Sequence, residues 1–333
     1  MQTSSESLLP QCRALAAAGA WAELCRTVES ALEDAARAPA LITLYAEALL
    51  RTGNARAARA WLDEHAAIIT LSGDRAAIRR AVNLTGAASF ELSDLERADV
   101  AFELCLELGR NDGDDLLVAR ATNNLAVIAT IRGRHLDALG LYAMAIPVYQ
   151  RLGNVNGIAE TYHNTAIALR KVDRLEQADD HERRAAEFAR QVKNEHLVAL
   201  TMVGRAEISL LRGDAALAEA TATFAARELG TVPDPSRQAD AIRLCGTARY
   251  ALGKFPEARE RLDEAVSLAA QSGSTLIEAE SRWARAQVSK SLGDVDAGLD
   301  DAERAAAIFG ELDAPTEYAS VTEWIARERR QLS

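Results

Sequence analysis

The sequence predicts an all-α fold, a solenoid of stacked helix pairs, on three observations. A helix-to-helix turn recurs at Gly19, Gly53, Ser93, Gly133, Asp173, Gly213, Gly253 and Gly293, spaced once by 34 residues and thereafter by 40. A small residue stands seven positions before each turn, at Cys12, Ala46, Gly86, Ala126, Ala166, Ala206, Gly246 and Ala286. Another stands five positions after it, at Ala58, Ala98, Ala138, Ala178, Ala218, Ala258 and Gly298, with Leu24 the exception in the first pair. Glycine suits a place where a helix stops with φ > 0, and Asp and Ser are tolerated there through local side-chain hydrogen bonds. Self-similarity at one fixed period marks supersecondary units that bury a shared core by stacking.

Taken in order, the helix pairs are predicted over 5–38, 39–73, 74–113, 114–153, 154–195, 196–233, 234–274 and 275–314, within one solenoid spanning 1–333. The stretch from Ala119 to Asn154 shows the scheme most plainly, whereas the first pair is short and the fifth lacks the turn glycine. The small columns let helix backbones approach closely, and a third column reads His65, Cys105, Ala145, Ala185, Ala225, Ala265 and Ala305. Trp21, Leu95, Leu175, Phe255 and Val295, two positions past their turns, fill the spaces between. Pro39, Pro233, Pro235 and Pro315 fall between pairs, and Pro256 falls in a first helical turn, where a missing N–H costs nothing. Pro147 lies inside a second helix and predicts a kink or an early stop. A closing helix over 315–333 carries Glu323, Arg327, Glu328, Arg329 and Arg330, a polar face suited to covering the end of the stack.

Composition narrows the function classes. A formal net charge of −11 gives no basic footprint for nucleic acid and disfavours anionic lipid surfaces. The N-terminal residues do not read as a secretory signal, and no apolar run is long enough for a bilayer span, so a cytoplasmic protein is expected. Cys12, Cys25, Cys105 and Cys245 form no CxxC pair, which argues against zinc or a disulfide framework. The abundance of Ala and Arg, with lysine only at Lys171, Lys193, Lys254 and Lys290, suggests a GC-rich bacterial genome.

On these residues the chain resembles the tetratricopeptide repeat (TPR) family, whose repeats carry a small residue, a Gly turn and two Ala positions at the spacings of Ala126, Gly133, Ala138 and Ala145. The 40-residue period is similar to the longer-helix repeats of bacterial regulatory proteins, Pins-type adaptors and kinesin light chains. The closing segment from Ala307 to Ala326 resembles the array ends of large bacterial regulators. The resemblance implies a right-handed superhelical solenoid of about eight TPR pairs plus a capping helix, with the first helix of each pair lining the concave surface.

On that expectation, periodicity divides the first helix of the fourth pair. Val118, Ala121, Leu125, Ile128 and Ala129 form a packing stripe, and Arg120, Asn123, Asn124, Val127 and Thr130 form the groove face. A shift of 40 residues gives Arg80 and Asn83 in the third pair, and Glu160, His163, Asn164 and Arg170 in the fifth. Asparagine is a poor helix former, so Asn83, Asn123, Asn124 and Asn164 in aligned helices require a reason. Two are open: contact with the backbone of an extended peptide, and hydrogen bonding between neighbouring helices. The resemblance places Asn124 and Asn164 where peptide-binding TPR families put such an Asn, but the lysines of the chaperone-tail clamp are replaced by Asn123 and His163. Later pairs offer Leu200, Val203, Tyr250 and Trp283, which predict an apolar, aromatic stretch of groove unless the solenoid buries them itself.

Signals for catalysis, metals and cofactors are absent from the sequence. The histidines make no HExxH, no nucleophile sits in a known motif, and Glu160 with His163 is the only acid and base pair on one helix face. The acidic runs from Asp112 to Asp115 and from Asp294 to Asp301 lack the Gly and Glu of a calcium loop and are expected to cap helices. The expected function is a non-enzymatic scaffold that binds a peptide segment or helix of a partner protein. The alternative is a regulator whose superhelix responds to a small peptide or metabolite.

Overall fold

The computed structural model describes residues 5–231, 234–312 and 314–332, and every regular element among them is a helix. The chain divides into two compact units, 1–153 and 154–333, and the division falls between the fourth and fifth pairs. The first unit contains α1 (Ser5–Ala17), α2 (Trp21–Glu29), α3 (Leu32–Ala35), α4 (Pro39–Arg51), α5 (Ala55–Glu64), α6 (Ala66–Leu71), α7 (Arg75–Glu91), α8 (Leu95–Asp112), α9 (Asp115–Ile131) and α10 (His135–Arg151). The second contains α11 (Val155–Lys171), α12 (Leu175–Gln191), α13 (Glu195–Leu211), α14 (Ala215–Leu229), α15 (Pro235–Ala251), α16 (Phe255–Gln271), α17 (Thr275–Ser291), α18 (Val295–Glu311) and α19 (Pro315–Leu332). Within each unit successive helices pack on one another, giving an all-α repeat architecture.

Two series of turns fix this connectivity. All eight predicted turn residues adopt positive φ, from 58° at Asp173 to 87° at Gly293. A second series at Gly73, Gly113, Gly153, Lys193 and Gly273 does the same midway through the period and joins one pair to the next. Acidic or amide N-caps follow many of these turns. Asp94, Asp114, Asn154, Asn194, Asp214 and Asp294 each accept a hydrogen bond from the backbone N–H three residues on, satisfying a donor that has no partner inside the helix.

The small columns form the core. Ala58, Ala98, Ala138, Ala178, Ala218 and Ala258 are fully buried, as are Ala46, Ala126, Ala166, Ala206 and Ala286. At Gly86 and Gly246 an added Cβ would come within 2.6 Å of Phe102 and 2.7 Å of Leu262, so glycine there makes room for the facing large residue. The four cysteines are free and buried, and burial alone pushes the Cys105 thiol up to about 12.

The structure departs from the expectations at three places. α10 runs through Pro147 to Arg151, so the early stop does not occur. The second helix of the second pair is instead broken, into α5 and α6, at His65, which occupies a column that is Cys or Ala in the following pairs. Its ring packs on Trp61 at 3.8 Å between centroids, with Nδ1 2.8 Å from the Trp61 carbonyl oxygen. The acidic runs are only partly caps. Asp112 pairs with Arg75 and Arg79, and Asp301 is buried between Arg282 and Arg285 of α17. Pro233 lies outside the described residues.

Candidate functional site

In the second unit α11, α13, α15 and α17 contact one another in succession, whereas no comparable contacts join α12, α14, α16 and α18. The first helices therefore approach each other more closely than the second helices do, and their shared face is the inner one.

In the first unit the predicted residues divide by environment. Arg80 is exposed and pairs with Glu47. Arg120 is exposed and makes no ion pair among the described residues. Asn124 is half-buried, but Asn123 is 8% exposed and belongs to the packing side, which corrects its assignment to an open groove face. The Oδ1 atoms of Asn123 and Asn83 are buried without a hydrogen-bond partner. Thr130 is engaged within its own pair, donating to the Ala126 carbonyl at 2.9 Å and lying 3.4 Å from the Tyr142 hydroxyl.

In the second unit His163 has a carboxylate neighbour that sequence reasoning did not name. Glu160 accepts a hydrogen bond from Asn156 at 2.6 Å, and the carboxylate beside the imidazole is Glu182 of α12, with Oε2 2.9 Å from Nδ1. Glu182 is wholly buried, and burial pushes its carboxyl up against the opposing pull of His163 and Arg170. Its Oε1 has no partner, and a Cβ on Gly204 of α13 would stand 2.1 Å from it. The missing side chain at Gly204 is thus what admits the carboxylate. His163 and Asn164 are both half-buried on α11. Arg170 pairs with Glu207 of α13 at 2.8 Å, while its Nε is buried without a partner.

The apolar residues expected in the later helices differ in burial. Val203 is buried, Leu200 and Tyr250 are half-buried, and Trp283 packs edge-on against Trp324 of α19 at 5.4 Å. Between them lies a charged ladder that sequence reasoning missed. Arg243 bonds Asp240 at 2.7 Å and Glu280 at 3.2 Å, and burial raises the Glu280 carboxyl. The signal was available, since Asp240, Arg243 and Glu280 continue the 160, 163 and 200 columns by whole periods. Among the described residues no group of three His, Cys, Asp or Glu side chains is placed to hold a metal ion, and no helix is long and apolar enough to cross a membrane.

Residues 117–191, which include most of α9 and all of α10, α11 and α12, match the family model of the tetratricopeptide repeat. These residues are tetratricopeptide repeats, and the described helices carry the same all-α repeat architecture through both units. Solved structures agree at the level of fold. The chain is similar to a Rap protein complexed with Competence and Sporulation Factor, at 16% identity and TM-score 0.67, covering 98% of each chain. It is similar to a STAND protein with a tetratricopeptide repeat sensor from Pyrococcus horikoshii, at 15% identity and TM-score 0.64, covering 94% of this chain and 46% of that one. It is also similar to the Rap conjugation gene regulator of plasmid pLS20 in complex with the Phr* peptide, at 13% identity and TM-score 0.66, covering 84% and 76%. Among curated proteins no sequence matches the chain.

Proposed function

We propose that this protein captures an extended peptide segment of a partner on the inner faces of its first helices, without catalysing a reaction. The observation that carries the reading is the unsatisfied polar inventory of those faces. Asn83 in the first unit and Arg170 in the second hold buried polar atoms with no partner inside the protein. Such atoms cost free energy unless something binds beside them and reorganises the face. Carboxamides offer both donor and acceptor to a peptide backbone, and Asn124 and Asn164 stand half-buried next to them. The Rap structure solved with the Phr* peptide supports the reading by its similar fold.

The test removes one amide from each unit. Asn124→Ala and Asn164→Ala, singly and combined, should reduce the set of proteins and peptides retained from cell extract while leaving the melting temperature within about 2 °C of wild type, because neither side chain fills the core. Equal retention by the combined variant would overturn the proposal.

A second reading, a regulator that responds to its peptide, is favoured by the His163, Glu182 and Gly204 arrangement. A ligand that displaces His163 disturbs a buried carboxylate lodged against the next pair. A regulator would change its radius of gyration in scattering when the retained ligand is added, and a passive scaffold would not.

A further inference from the structure

The break at His65 has a counterpart across the second and third pairs. A cavity of about 310 Å³ lies between α5–α6 and α8, with α7 as its floor. Leu62, Ile69, Val82, Val100 and Leu104 make its walls. Its volume is at the lower end of the roughly 300–1,000 Å³ occupied by small-molecule clefts, and its lining has their usual character, apolar with a few polar groups. The corresponding space in the second unit, between α14 and α16 over α15, is smaller, about 220 Å³, and mixes Arg227, Gln238, Arg261 and Glu264 with Ala226, Ile242 and Cys245. The groove beside the broken helix is the larger and the more apolar of the two.

Apolar side chains stand out of the core around this cavity. Val100 is 66% exposed and Leu71 at the end of α6 is 86% exposed, with Ile68 and Leu104 also open to solvent. The polar groups of the cavity are the Arg97–Asp63 ion pair, neutral overall, and the hydroxyls of Thr70 and Thr85, which together present donors and acceptors. A charged head group meets no unopposed countercharge there, whereas an uncharged hydroxyl or amide can bond to either partner.

We infer that the cavity between α5–α6 and α8 is a binding site for an uncharged amphiphile, with an aliphatic body of about ten carbons and one hydrogen-bonding head. The ligand is distinct from the peptide proposed above, because the cavity opens between second helices and uses none of the inner-face residues.

Titration of the full chain with the neutral fluorophore N-phenyl-1-naphthylamine tests this, followed by displacement with 1-alkanols. Saturable binding at one site is expected, with displacement improving about fourfold per methylene from hexanol to decanol, and with decanoate and decylamine at least about tenfold weaker than decanol. Val100→Lys should weaken uptake by more than about tenfold with an unchanged melting temperature, since Val100 is largely exposed, and Leu104→Gln should act in the same direction. Absence of saturable uptake, uptake by Val100→Lys equal to wild type, or equal competition by the charged decyl compounds would overturn the inference. So would a dimer that takes up no probe and dissociates on Val100→Lys, which would assign the surface to a second copy of the chain.

Discussion

Glu182 shows how one residue can be shaped by two neighbours and shape them in return. Its carboxyl is raised by burial and faces His163, Arg170 and Glu207. A carboxyl raised in the folded state binds its proton more tightly there, so its contribution to stability is full below the ordinary value of 4.5 and is lost as pH rises through the folded value. Glu182→Gln removes that loss. Its melting temperature at pH 8 should equal or exceed that of wild type, and the difference should shrink or reverse toward pH 4; parallel profiles would show that another group governs the pH dependence. Gly204→Ala should destabilise the protein by about 1–3 kcal/mol in chemical denaturation, the overpacking cost against Glu182 exceeding the helical preference for alanine. Gly140→Ala is the matched control, because nothing lies within 4 Å of its added Cβ in the exposed middle of α10, and it should stabilise by about 0.5–1 kcal/mol. Glu182 was hidden in the sequence by its surroundings, since α12 carries charges at many positions and reads as a solvated face. Its column was the clue. The equivalent residues are Leu62, Phe102, Tyr142, Ala222 and Leu262, all core residues.

At the scale of the element, the turns and caps were the most legible features because both depend on local backbone chemistry. Positive φ at the eight turn positions follows from Gly, Ser and Asp in register, and the helix that follows begins on schedule. Asp114→Ala should lower stability by about 1 kcal/mol by removing the acceptor for the Leu117 N–H. The two irregular helices were harder to read, because packing decided them against local preference. Proline predicts a break in α10, but the helix continues through Pro147, and buried Tyr142, Ala145 and Tyr149 hold it in the stack. Pro147→Ala restores a donor for the Ala143 carbonyl and should raise the denaturation midpoint, by up to about 3 kcal/mol of stability; an unchanged or lower midpoint would mean that the ring contributes packing that outweighs the bond. His65 breaks a helix that has no proline, because a ring stands where the column elsewhere holds Cys or Ala. That break was visible in the sequence only as an exception to a column.

For the whole molecule, the period fixes the order of helix pairs and the buried columns in both units, and with them the TPR architecture. The side-chain partners that decide the candidate site were less legible, since Arg170 with Glu207, Arg243 with Glu280 and His163 with Glu182 join helices whose relative rotation no single repeat specifies. What the inner faces share is polar groups held ready beside a buried core, and the account rests on their meeting a peptide. Site-specific photocrosslinking measures this most directly. A photoreactive residue placed at Asn124 or Asn164 in the full chain, exposed to cell extract and irradiated, should give peptide adducts that the same residue at Gly140 does not. Adducts at Gly140 alone, or equal labelling at all three positions, would contradict the account.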